Sequence, residues 1–85
     1  MAKINFQRDR RAFYYLEYRR ILERYLWNMS IWGQSHPKLC LNEALSEIDR
    51  VHNNSIKARL NTALMKQAFV AQVEDYHKKI ILRTG

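Results

Sequence analysis

The chain has 85 residues and a formal net charge of +7, with fifteen Lys and Arg against eight Asp and Glu. That length allows one domain at most, and a domain this small buries only about 60% of its unfolded surface, so a partner is the natural staple. A single cysteine, Cys40, excludes an intrachain disulfide, and the expected setting is intracellular and cytoplasmic. Two Gly and one Pro leave little turn or strand chemistry beside abundant Leu, Glu, Arg, Ala, Lys and Gln. The fold class expected is all-α. No apolar run approaches the roughly 18 residues a spanning helix needs, so no transmembrane segment is expected.

Asn5 is suited to cap a helix, and apolar residues then recur at helical spacing from Phe6 to Gly33, which is suited to a left-handed C-terminal position. The spacing predicts a first helix over 6–32. Eight of the ten aromatic residues and six of the fifteen basic ones lie in it. Tyr15, Tyr18, Leu22, Tyr25, Met29 and Trp32, flanked by Tyr14, Ile21 and Leu26, alternate at three and four residues and are assigned to the core. Phe13, Leu16, Trp27 and Ile31 fall on the opposite side, among Arg10, Arg20 and Arg24. Large aromatics beside arginine dominate protein–protein hot spots because they bring contact area or fixed donors at modest entropic cost. Phe13, Leu16, Arg20, Arg24, Trp27 and Ile31 are therefore candidate partner-binding residues.

Gln34-Ser35-His36-Pro37 reads as a turn, with Ser35 or His36 able to cap and Pro37 in the first turn of a second helix over 37–52. Its inward positions are Leu41, Ala44, Leu45, Ile48 and Val51. Asn53-Asn54-Ser55 is expected to end that helix and cap a third over 56–82. The third helix carries two apolar stripes, one of Ile56, Leu60, Ala63, Leu64, Val70 and Ala71, the other of Met65, Phe69, Val73, Tyr76 and Ile80. Two stripes predict two neighbours.

These lengths suggest a three-helix up-down-up bundle with two long outer helices and a shorter middle one. The middle helix would leave residues 6–16 and 72–82 uncovered, with more apolar surface than water tolerates well. The bundle is thus expected to be oligomeric or partner-bound, a homodimer or a subunit of an assembly. Tyr76 and Ile80 join the candidate partner-binding set.

Net positive charge also suits nucleic acid. In that alternative Arg8, Arg10 and Arg11 would act with Lys78, Lys79 and Arg83 of a second copy on phosphates. The arginines of the first helix nevertheless scatter around it, interleaved with Asp9, Glu17 and Glu23, and Arg19 with Glu23 and Glu17 with Arg20 have ion-pair spacing. A basic helix ending in Trp also suits a membrane surface, but its many tyrosines and interspersed acids fit a packed core better.

His36 and Cys40 have the i,i+4 spacing that sets two ligands on one helical face, but the rest of the spacing, with His52 and His77, matches no zinc pattern, and Cys40 between Leu39 and Leu41 reads as a small buried hydrophobe. No metal and no cofactor is expected. A Leu-Tyr-Arg motif is not formed, since Glu17 precedes Tyr18-Arg19 where that motif has Leu. A phosphate loop and a nucleophile elbow are also missing, so the expectation is not an enzyme. It is a small basic binding protein, an accessory, regulatory or inhibitory subunit docking on a larger acidic protein, with nucleic-acid binding as the alternative.

Overall fold

The computed structural model describes residues 6–84, and side chains for 10–82. The cap expected of Asn5 and the side chains of Arg8 and Arg83 lie outside the described residues. The chain forms three helices, α1 (Phe6–Trp32), α2 (Pro37–Lys57) and α3 (Ala63–Thr84), each packed on the other two. The fold is all-α, with no strand among the described residues. No described helix is long and apolar enough to cross a membrane.

The core is one side of each helix. From α1 it takes Tyr18, Ile21, Tyr25 and Met29; from α2 Cys40, Ala44, Ile48 and Val51; from α3 Phe69 and Val73. The expected α1 stripe is thus rotated and shortened. Ile21 moves from flank to centre, while Tyr15 and Trp32 are exposed, with their rings edge-on to Phe69 and His36. The second expected stripe of α3 faces the core, with Met65 and Ile80 half-buried against it and His77 buried beside exposed Tyr76, and from the first stripe Val70 also packs on the core. The first stripe is not a face: Ile56 and Leu60 precede α3, and Leu64 is 81% exposed. One face serves both neighbours.

The boundary between the second and third helices also differs from expectation. Asn53-Asn54-Ser55 continues α2, because Ser55 lies one turn beyond Val51 on the buried side and finds partners for its hydroxyl there. Ser55 Oγ donates to the His52 carbonyl at 2.7 Å and lies 2.8 Å from Thr62 Oγ1, which lies 2.8 Å from Tyr18 Oη. Each hydroxyl has one proton, so the chain must run Tyr18 to Thr62 to Ser55 to His52. It ties α1 to the end of α2 and the start of α3, and no buried side-chain polar atom among the described residues lacks a partner.

α2 ends instead at Lys57, with Ala58 as its C-cap. Leu60 N–H bonds the Ser55 carbonyl at 2.8 Å and Arg59 N–H the Ile56 carbonyl at 2.8 Å, with Arg59 at φ 61°. This is the Schellman arrangement, and buried Leu60 supplies its hydrophobic contact. The left-handed residue at the end of α2 is thus Arg59 and not an asparagine of Asn53-Asn54. Gly33 has no positive φ; it is needed because a Cβ there would lie 2.3 Å from the Met29 carbonyl oxygen. At the start of α2 neither Ser35 nor His36 caps with its side chain; His36 Nδ1 lies 2.8 Å from Ser35 Oγ, and Pro37 opens the helix as expected.

With 21 residues in α2 and 22 in α3, the two are nearly equal, and only α1, at 27, is long. The overhang expected of the third helix does not form: Val73 is fully buried, His77 is buried and Ile80 packs on the core. The overhang expected of α1 carries exposed Phe13 and Leu16, yet it is braced, since Arg10 Nη2 donates to the Ala58 carbonyl at the end of α2.

Candidate docking face

The side of α1 turned away from the core carries Phe13, Leu16, Arg20, Arg24, Trp27 and Ile31, all exposed. Trp27 is 66% exposed and Phe13 56%, beside fully buried Tyr18 on the same helix. The positions recur at three- and four-residue intervals, so they form one line, with an apolar block at each end and two guanidinium groups between. At 1.5 Å per residue the two blocks stand roughly 20 Å apart.

The arginines are positioned by short ion pairs. Arg24 Nη1 lies 3.1 Å from Glu47 Oε1 across the α1–α2 seam, and Arg20 Nη1 lies 3.6 Å from Glu17 Oε1 one turn back. Arg19 pairs with Glu23 at 3.3 Å, so both spacings legible in the sequence form. Solvent-facing pairs of this kind contribute about 0–1 kcal/mol, and they exchange readily for carboxylates of another molecule.

Along the same seam runs a furrow. Its first part, about 330 Å³, is lined by Asn28, Trp32, His36, Leu39, Cys40 and Glu43. A second part of about 290 Å³ shares Asn28, Cys40 and Glu43 and reaches Arg24 and Glu47. Exposed Trp32 and Leu39 at the turn extend the apolar surface near Ile31. Sequence periodicity placed Trp32 in the core and gave Leu39 no role, because the α1 stripe continues in register past the last residue that α2 covers.

The titratable groups around the core are held uncharged. Burial, and after it the Cys40 side chain, pushes the Tyr25 hydroxyl up to about 12. Burial also raises Tyr18 and lowers His77, whose Nδ1 lies 2.8 Å from Tyr25 Oη. Burial, then the Glu43 carboxylate, raises the Cys40 thiol, which disfavours the thiolate a nucleophile requires. His36, Cys40 and Glu43 line one furrow, yet no three His, Cys, Asp or Glu among the described residues gather closely enough for a metal ion.

Tyr76 and Ile80 do not join the α1 line. Ile80 packs against the core, and Tyr76 adjoins His77, which sits on Tyr25 of the opposite face. Lys78 and Lys79 follow His77, so in one chain they lie far from Arg10 and Arg11, and Lys79 pairs with Asp75 at 2.9 Å. What lies beside Arg10 and Arg11 is the α2–α3 turn with Lys57 and Arg59, two basic residues that sequence reading left unassigned. No signal in the sequence pointed to that pairing across 48 residues.

No family model, curated protein or solved structure shows a match to the chain.

Proposed function

We propose that this protein works by occupying a surface, as an accessory, regulatory or inhibitory subunit docked on a larger protein through the outer line of α1. The observation carrying this reading is that Trp27 and Phe13, the large aromatics of that line, are more than half exposed while α1 already has a complete core face. A partner would cover both apolar blocks and set carboxylates against Arg20 and Arg24, displacing Glu17 and Glu47. Acidic chemistry at the centre of the partner surface follows from charge complementarity.

A second copy suits this line poorly. Parallel pairing of two α1 helices sets Arg20 against Arg20, and antiparallel pairing sets Arg20 against Arg24, so like charges meet at the centre. A heteromeric partner is the better occupant. Up-down-up order is part of the same proposal. It is supported by Arg24 with Glu47, Asp49 with Lys66, and Tyr18 and Tyr25 with Phe69 and His77 in the same sense along α1 and α3.

The test is capture from the native cell after nuclease treatment, comparing the unaltered chain with Arg24→Ala/Trp27→Ala. The expected result is a protein retained by the first and lost by the second, with helical circular dichroism unchanged. Equal retention by both would overturn the assignment.

A further inference from the structure

Folding builds a basic surface that is not contiguous in the chain. Arg10 donates to the Ala58 carbonyl, which places the start of α1 against the turn that bears Lys57 and Arg59. Arg11 reaches the same end, lining a hollow with Asn61, Thr62 and Leu64, while Arg59 lines the neighbouring one with Ile56 and Asn61. Arg11, Lys57 and Arg59 are exposed and form no ion pair among the described residues. Residues 10–16 and 50–73 contain no Asp or Glu. Arg8 and Asp9, whose side chains lie outside the description, cancel in formal charge.

Helix dipoles do not absorb this charge. The C-terminus of α2 offers partial negative charge, but the N-terminus of α3 stands beside it with partial positive charge of similar size, so the two nearly cancel. Capping needs one cation, and Arg10 supplies it.

Arg59 is the sharper clue. Its φ of 61° is the left-handed conformation, which glycine adopts without the steric cost an arginine meets. The arginine side chain is exposed and has no ion pair among the described residues, so no described contact compensates for it. A charge kept where the backbone favours glycine points to a use outside the fold.

We propose that Arg10, Arg11, Lys57 and Arg59 form a surface for the sugar–phosphate backbone of nucleic acid, separate from the outer line of α1. Arginine forks match phosphate oxygens, and the lack of interspersed carboxylates leaves the positive potential undiminished at this end. The other end of the bundle is mixed in charge, with Lys38 and Glu43 on α2, and Glu74, Asp75, Lys78 and Lys79 on α3, where Lys79 pairs with Asp75.

The experiment titrates the full chain against a short mixed-sequence DNA duplex and a single-stranded RNA, following anisotropy from low to moderate salt. Two double variants are compared. Arg11→Ala/Arg59→Gly removes two charges from the surface while giving the left-handed position its preferred residue, so loss of binding with an unchanged or raised melting temperature excludes misfolding. Lys38→Ala/Lys78→Ala removes the same charge from the other end. The expected result is binding of at least one probe. The log–log salt slope of the site variant should fall by about 0.9 per lost contact on duplex, or about 0.7 on single strands. The control variant should keep the original slope. Either of two results would overturn the proposal: no binding of either probe at low salt, or equal weakening by both variants.

Discussion

Trp27 and Tyr25 stand two residues apart on α1, carry rings of comparable bulk, and meet opposite fates. Tyr25 is 1% exposed, holds His77 through its hydroxyl and has its own ionisation pushed to about 12. Trp27 is 66% exposed, and its neighbours along the helix face are Arg20, Arg24 and Ile31. One helix therefore carries two aromatic faces, and apolar content does not tell them apart. What separates them is whether another helix of the same chain lies alongside. The inner face supports the fold, and the outer face is surplus to it.

The sharpest break of that contrast is truncation on the inner face. Tyr25→Ala leaves a cavity and an unpartnered His77, and should cost about 3–5 kcal/mol in urea unfolding, a large share of what a domain this size possesses. Thr62→Val keeps the shape but severs the hydroxyl chain, leaving the buried Tyr18 hydroxyl without an acceptor. A loss of about 1–3 kcal/mol is expected, read from the same denaturation midpoint.

His77 gives the inner face a pH dependence. Its folded pKa is lowered from 6.5 by burial, so the native state binds fewer protons than the unfolded chain in that region. Stability should be full above pH 6.5 and decline as pH falls below it, and His77→Gln should flatten that decline. Trp27→Ala sits at the small end of the scale, expected within about 0.5 kcal/mol of the unaltered chain. A loss comparable to that of Tyr25→Ala would erase the distinction between the two faces.

Much of the fold was legible because α1 and the first part of α2 follow a 3.6-residue period without conflict. The two faces of α1 come from that pattern, the turn at Pro37 from its cap and proline chemistry, and the burial of Cys40 from its apolar neighbours Leu39 and Leu41. The errors cluster where local preference and tertiary packing disagree. Asn53-Asn54-Ser55 has the composition of a helix end, but Ser55 becomes an interior residue once Thr62 and the His52 carbonyl satisfy its hydroxyl. Arg59 gives no sign in the sequence that it will take the left-handed position, because the local residue preference there is against it. Tyr15 and Trp32 lie in register with the core stripe, yet the packed face is rotated toward Tyr14 and Ile21 and ends at Met29, which leaves both outside.

The candidate docking line on α1 was readable for the same reason as the core, since it is the complement of a periodic stripe. The basic end was not. It joins residues 10 and 11 to 57 and 59, and the chain's charge profile shows only basic termini and a slightly acidic middle. Periodicity thus determines which helices form and which side of each seeks cover, because both follow from backbone geometry and solvation along one element. Where helices stop, which aromatic stays in water and which charges share a surface depend on distant segments meeting, and only the tertiary structure decides them.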